Sequence, residues 1–423
     1  MRPVATTGTH TSPTHVVLLE NIHPLAAERW QAAETNAGCR VEAIGHALEG
    51  EALHDAIADA TIIGIRSKTH LNAESLDAAP NLLAIGCHCI GTNQVDLDHA
   101  RSRGIAVFNA PFSNTRSVAE LTIAEIILLL RRLVDRNAEL HRGTWRKTSK
   151  DAHEVRGRTL GIIGYGHIGS QVSVLAESLG MVVRFVDVAE TLPLGNAQRV
   201  ETLHQLLEIS DVVTIHVPAT PQTEKMIDAG AIARMKPGAM LINNARGSVV
   251  DLEALAAAVQ SGHLGGAAVD VYPQEPRGND ESFHSPLAGL PNVLLTPHIA
   301  GSTEEAQEHI ARDVTEKLLR YLRDGSTTSA VNLPAVDLPR LRADQHRILH
   351  IHRNVPGVLS RMHRAVAEMD ININAEYLQS DAAISYVMLD IDPQQAEAVV
   401  QRLREVPETI RVRSLYPASA TGG

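Results

Sequence analysis

The run Leu160-Gly-Ile-Ile-Gly164-Tyr-Gly166-His-Ile-Gly169-Ser-Gln-Val172 constrains this chain more than any other feature. It reads as an apolar strand, a glycine turn and the opening of a helix with apolar periodicity from Val172 to Leu179. A second apolar strand, Val182-Val-Arg-Phe-Val186, ends at Asp187, 18 residues after Gly169. A G-x-G-x-x-G by itself is weak evidence. Between two strands and followed by an acid, it is the fingerprint of a dinucleotide-binding βαβ unit. Gly164 allows the tight turn, Gly166 removes a Cβ that would block a pyrophosphate, and Gly169 lets the helix approach the strand. The pyrophosphate would sit on the free N–H groups at the helix start. Asp187 would accept from a ribose 2′-hydroxyl and repel a 2′-phosphate. No Arg follows it in Val188-Ala189-Glu190, so NAD is expected rather than NADP.

The rest of the chain repeats this rhythm. Val16–Leu19, Thr61–Ile65, Leu82–Gly86 and Ile105–Asn109 read as strands, with amphipathic stretches at Leu25–Ala37 and Gln94–Arg103. Ser117-Val-Ala-Glu120 has the spacing of a capping box and predicts one helix from Val118 to about Leu140. Further strands are expected at Thr159–Gly164, Val182–Asp187, Val212–Val217, Met240–Asn244, Gly266–Val271 and Val293–Thr296, and a helix at Ser302–Arg323. Alternating strands and helices imply parallel βαβ units. Asp324–Leu341 carries Gly, Ser, Thr and two prolines and suits a linker, while Met1–His15 is polar and expected to fray. Beyond the linker the order is strand, helix, strand, strand, helix, strand: the split βαβ arrangement.

Composition excludes other readings. At 423 residues, several domains are expected. A net charge of −11 offers no field for a nucleic acid. The strongly apolar run Ile126–Leu130 is far short of a membrane span, and the N-terminus carries no apolar secretory segment. Three cysteines (Cys39, Cys87, Cys89) make no disulfide framework and point to a reducing compartment, so a soluble cytoplasmic protein is expected. Cys87-His88-Cys89 is tempting as a metal site, but no further ligand is near, so it reads as core packing.

Three later strands each end in a candidate catalytic residue. Asn244-Ala-Arg246-Gly follows Met240-Leu-Ile-Asn, Asp270-Val-Tyr-Pro-Gln-Glu275 follows Gly266-Ala-Ala-Val, and Pro297-His298 follows Val293-Leu-Leu-Thr. Ligands of open parallel sheets bind beyond the carboxyl ends of the strands, so Arg246, Glu275 and His298 converge if their strands are neighbours. Oxidising a 2-hydroxy acid requires taking the hydroxyl proton while hydride leaves. An imidazole suits the first task, a carboxylate orients it, and a guanidinium fork matches the substrate carboxylate. Singly, each has a bland reading: a surface cation, a turn residue, one of 21 histidines.

The segments Asn244-Ala-Arg-Gly-Ser, Ala268-Val-Asp-Val-Tyr-Pro-Gln-Glu-Pro and Leu295-Thr-Pro-His-Ile-Ala-Gly-Ser-Thr resemble the D-isomer-specific 2-hydroxyacid dehydrogenases. So do Ile85–Asp98 and Val107–Glu120, and the likeness is nearest to the bacterial branch with a C-terminal ACT domain. It implies a Rossmann-type NAD domain (residues 114–301) inserted in a flavodoxin-like substrate domain (16–113 and 302–330). A linker (331–345) and a ferredoxin-like ACT domain (346–423) would follow. It further implies Gly164, Gly166, His167, Ile168, Gly169, Asp187, Asn244, Ala245, Arg246, Asp270 and Gly301 as cofactor positions. Arg66, Ser67, Asn114 and Gln307 would hold 3-phosphoglycerate, and Arg66-Ser67-Lys68 puts two cations and a hydroxyl at one strand end. His352, Asn354 and Asn372 would hold L-serine as an effector, although Arg353 and Val355 stand where the family pattern has Glu and Arg. The implied reaction is NAD-dependent oxidation of 3-phospho-D-glycerate, opening serine synthesis, in a homotetramer with Trp145 at a subunit contact. Alternatives are another 2-hydroxy acid, such as glycerate or 2-hydroxyglutarate, and an NAD-sensing binding protein.

Overall fold

The computed structural model describes residues 14–33, 38–276, 281–342, 344–392 and 396–416. The chain divides into two compact units, Met1–Ser113 with Gln307–Gly423, and Asn114–Ala306.

The first unit opens with β1 (Thr14–Leu18), α1 (Leu25–Ala32), β2 (Cys39–Ala43), α2 (Gly50–Ile57), β3 (Ile62–Ile65), α3 (Ala73–Asp77), β4 (Ala84–Cys87), α4 (Leu97–Ser102) and β5 (Ala106–Asn109). All strand pairs are parallel, in the order β2-β1-β3-β4-β5, the flavodoxin-like order expected. Successive side chains go to opposite faces. Val17, Ile63, Ile65 and Cys87 join one core and Val16, Leu18, Ile62 and Phe108 the other, which is why these strands read as unbroken apolar runs. Residues 14 and 15 of the expected polar tail lie in β1; residues 1–13 fall outside the described residues. The edge strand β2, Cys-Arg-Val-Glu-Ala, escaped the sequence reading because charged residues interrupt its apolar ones.

The second unit holds α5 (Thr115–Leu130), α6 (Leu133–His141), β6 (Thr159–Ile163), α7 (His167–Ser178), β7 (Val182–Val186), β8 (Gln198–Arg199), α8 (Leu203–Ile209), β9 (Val212–Ile215), α9 (Ala229–Ala233), β10 (Met240–Asn243), α10 (Leu252–Gln260), β11 (Gly266–Val269) and β12 (Val293–Leu295). Its seven strands are parallel, in the order β12-β11-β10-β9-β6-β7-β8. The order reverses between β6 and β9, the switch point of a doubly wound sheet. One expectation needs correction. The single helix from Val118 to Leu140 is two helices, broken where Arg132 takes φ +49°. The first begins earlier, after Asn114, and has no side-chain cap; Ser117 lies inside it with its hydroxyl 2.9 Å from that of Thr303.

The first unit resumes along α11 (Glu304–Asp324), then β13 (His346–Arg353), α12 (Val358–Ala367), β14 (Ile373–Ser380), β15 (Ile384–Ile391), α13 (Ala396–Arg404) and β16 (Thr409–Leu415). The sheet order β14-β15-β13-β16 is antiparallel throughout, as the split βαβ pattern predicts. One face packs on α12 and α13 through Ile348, Met362, Val387, Leu389, Val399 and Leu403. The other face, with Leu349, Ile351, Tyr386 and Met388, shares a core with Val16, Phe108, Leu318 and Tyr321. Arg347 is fully buried there, bonded to Asp390 at 2.6 and 2.8 Å and to the carbonyls of Asp324 and Pro339.

The expected linker is packed rather than loose. Thr327, Asn332 and Val336 are buried, and the Asn332 amide donates to Ile105 O at 2.8 Å while accepting from Val107 N at 2.9 Å. Polar side chains that looked like solvent-facing linker residues satisfy backbone groups at the β5 edge instead. Among the described residues, no helix is long and apolar enough to cross a membrane.

Candidate active site

The glycine turn has the shape its sequence demands. Gly164 takes φ +91° where the chain leaves β6, and a Cβ there would meet His216 O. A Cβ at Gly169 would overlap Gly164 O, so only glycine lets α7 come this close. A Cβ at Gly166 would meet nothing within 4 Å, and α7 starts at the next residue. This arrangement fits a dinucleotide pyrophosphate. Asp187 closes β7; its carboxylate accepts from Tyr165 N at 2.6 Å and Ala189 N at 2.8 Å. Arg199, on β8, donates to the Asp187 carbonyl at 2.6 Å. Sequence reasoning did not see this cation because β8 is only two residues long.

Arg246, Glu275 and His298 follow β10, β11 and β12, three adjacent parallel strands. His298 Nδ1 lies 2.8 Å from Glu275 Oε2, and the other Glu275 oxygen accepts from Tyr272 N at 3.0 Å. The imidazole is 53% exposed, so its second nitrogen is open to a substrate. His298 itself takes φ +56°, a conformation that costs a non-glycine residue about 1–3 kcal/mol. The loop is held there by Asp270, which is fully buried. Its carbonyl accepts from His298 N at 2.8 Å, and its carboxylate accepts from Thr296 Oγ1, Ile299 N and Ala300 N at 2.6, 2.8 and 2.9 Å. Arg246 precedes a tight turn, Gly247–Val249, and its guanidinium donates to Ala245 O at 2.7 Å. A side chain at Gly247 would overlap the Tyr272–Pro273 backbone, so the Arg246 loop backs directly onto the segment leading to Glu275. Asn244 is buried and bonds Thr122 and Glu125, and Gly301 packs against the Asn114 amide.

In the first unit, Arg66 and Ser67 follow β3 and Gln307 lies on α11. A residue the sequence did not single out shapes that loop. Glu20, buried after β1, accepts from Arg66 N, Lys68 N and Thr69 N at 3.0, 2.9 and 2.8 Å. From the other side, buried Gln94 donates to Arg66 O at 2.6 Å. The loop backbone is thus clamped at both ends of the Arg66 residue. A lone acid after an apolar strand was the available signal, but its partners lie 46–49 residues away.

Cys87 packs in the core, as the sequence reading held. Burial pushes the Cys89 thiol up to about 11, and Cys89 Sγ lies 3.2 Å from Gly91 O. Among the described residues no cluster of His, Cys, Asp and Glu suits a metal. His352 is buried on β13 and stacked on His350, and burial pushes it down to about 4. Asn354 and Asn372 are exposed, bonded to Asp381 O and to Asn374. Trp145 is 81% exposed.

Residues 123–300 match the NAD binding domain of the D-isomer specific 2-hydroxyacid dehydrogenases, and residues 348–411 match an AHAS small subunit-like ACT domain. The D-3-phosphoglycerate dehydrogenase of Haemophilus influenzae is 52% identical over 401 residues, 95% of this chain and 97% of that protein. Its Escherichia coli K12 counterpart is 53% identical over 403 residues, with the same coverage. Among solved structures, D-2-hydroxyisocaproate dehydrogenase aligns with a TM-score of 0.68 at 26% identity, covering 75% of this chain and all of that one. D-lactate dehydrogenase from Aquifex aeolicus, complexed with NAD and lactic acid, aligns at 0.62 and 29% identity, covering 73% and 95%. The chain belongs to the D-isomer specific 2-hydroxyacid dehydrogenase family, in the branch of the D-3-phosphoglycerate dehydrogenases.

Proposed function

We propose that this chain oxidises 3-phospho-D-glycerate to 3-phosphohydroxypyruvate with NAD, the first step of L-serine synthesis. The observation that carries the chemistry is the His298–Glu275 pair, 2.8 Å apart at the ends of neighbouring parallel strands. Bound NAD supplies the hydride acceptor. His298 takes the hydroxyl proton on its exposed nitrogen as hydride leaves the same carbon. Glu275 keeps the Nδ1 proton in place and stabilises the imidazolium that forms. Arg246 takes the substrate carboxylate and polarises the developing carbonyl. Arg66 and Ser67 take the phosphate, with Asn114 and Gln307 completing the substrate contacts. Purified chain with NAD and a panel of 2-hydroxy acids tests this: NADH absorbance rises with phosphoglycerate. A faster rise with glycerate or 2-hydroxyglutarate would replace the substrate assignment.

The C-terminal domain is assigned to regulation, with L-serine held by His352, Asn354 and Asn372. The residue types support this, since an asparagine amide both donates to a carboxylate and accepts from an ammonium. Initial rates that stay flat up to millimolar serine would remove the assignment. The assembly is taken to be a cytoplasmic homotetramer. An indole as exposed as that of Trp145 suits a subunit contact. Trp145→Gly should elute later than wild type on gel filtration.

A further inference from the structure

Glu125 takes no part in the mechanism above. It sits on the buried face of α5 with Val118, Thr122 and Leu129 and is 2% exposed. Its Oε2 accepts from Asn244 Nδ2 at 2.6 Å, and the same amide nitrogen reaches Thr122 Oγ1 at 3.1 Å. Two buried oxygens are left without a partner among the described residues: Glu125 Oε1 and Asn244 Oδ1. They belong to the two groups that already share a hydrogen bond. No ion pair among the described residues includes Glu125. Two buried acceptors without a donor cost free energy, and one proton shared between them would remove that cost.

We propose that Glu125 works as a neutral carboxylic acid, paired head to head with the Asn244 amide, and positions the Ala245–Arg246 segment. The amide donates to Oε2, and the proton on Oε1 donates back to Asn244 Oδ1. The second amide hydrogen remains for Thr122, so every polar atom of the cluster is satisfied. Ionised Glu125 would leave a charge on Oε1 with no donor.

The surroundings agree. Of the charged and titratable groups on the packed elements, Asp270 after β11 acts on Glu125, and the Glu125 charge in turn raises Tyr272; neither neighbour is a cation. The facing turns of α7 offer Val172 and Ala176, and β12 offers Leu294. Burial pushes the carboxyl up to about 7, with the Asp270 charge adding to the rise and the Asn244 bond opposing it. Asn244 is held on one side by this pair. The next residues are held by Asn243, whose amide donates to Arg246 O at 3.0 Å and accepts from Ala245 N at 3.1 Å. Glu125 is therefore a positioning residue for Arg246. Its effect on rate rests on the assignment of Arg246 above; its protonation does not.

The sign of the pH dependence follows. A carboxyl raised in the folded chain contributes stability that is fully present below its ordinary value and is lost as pH rises through about 7. Glutamine copies the neutral acid in shape but cannot ionise. The test uses full-length wild type, E125Q and E125A. Difference infrared spectra, wild type minus E125Q, should show the carbonyl stretch of a protonated carboxyl at about pH 6, fading with a midpoint near 7. The melting temperature of E125Q should gain on wild type as pH rises across that interval. At about pH 6.5, E125Q should recover most of the ~10-fold loss in kcat/KM expected for E125A, which leaves the Asn244 amide unpartnered. Absence of the carboxyl band at pH 6, or an E125Q no better than E125A, overturns the proposal. If E125A does not fold, the band and the E125Q melting profile decide. If wild type turns over no 2-hydroxy acid, the functional reading fails while the band still decides Glu125.

Discussion

The loop after β3 and the loop after β12 are built on the same plan. In each, a buried carboxylate at the end of a neighbouring parallel strand gathers the donors of a loop that carries functional side chains. Glu20, after β1, gathers three backbone N–H groups of residues 66–69. Asp270, after β11, gathers two N–H groups and the Thr296 hydroxyl. The difference lies in the side chain the loop presents. The Arg66 loop has its backbone clamped, while Ser67 and Lys68 remain exposed. The His298 loop goes further: its backbone is forced to positive φ, and the imidazole is tied to a second carboxylate, Glu275. Holding a phosphate requires cations near the right place. Moving a proton requires one ring nitrogen aimed in one direction, and that orientation is worth backbone strain.

Four experiments press on this contrast. Removing the imidazole should cost most. His298→Ala should lower kcat by about a thousandfold while NADH binding, followed by fluorescence, stays close to wild type. Loss of binding in parallel with rate would mean that the loop is structural. Glu275→Gln keeps the shape but weakens the hold on Nδ1, so kcat should fall on the order of a hundredfold with the KM for phosphoglycerate little changed. In the other loop the pattern should invert. Glu20→Ala leaves three backbone N–H groups unpaired, the Thr69 one buried, at about 1–3 kcal/mol for a buried group that finds no water. The KM for phosphoglycerate should rise about tenfold while the KM for NAD stays put; equal rises would show a general loss of fold rather than a displaced anion loop. Smallest of all is the effect of the neighbouring thiol. Because burial pushes Cys89 up to about 11, iodoacetamide at neutral pH should leave the initial rate unchanged. Rapid inactivation that phosphoglycerate prevents would place a reactive thiolate in the loop and break the contrast.

The apolar strands were legible because parallel sheets covered on both faces need continuous Val, Ile, Leu and Ala. The strands that were missed, β2 and β8, are edges, where one side of the ladder is free and polar residues are tolerated. The α5–α6 break was hidden because Arg131-Arg132, where the chain takes a positive φ, carries neither Gly nor Pro. The polar, proline-rich stretch after α11 looked like a free linker because composition cannot say that the Asn332 amide finds the β5 edge 225–227 residues away.

By itself, the sequence determined the dinucleotide-binding turn, the alternation that makes two parallel sheets and the split βαβ tail. All three depend on local spacing, and local spacing is written in residue order. The tertiary structure alone decided which carboxylates do what. Glu20, Asp270, Glu275 and Glu125 are four acids of one chemical type, separated in sequence by up to 255 positions. One holds a loop, one strains another, one orients an imidazole, and one is left facing a lone amide. What an acid does depends on how many donors reach it and how little water does, and folding is what sets both.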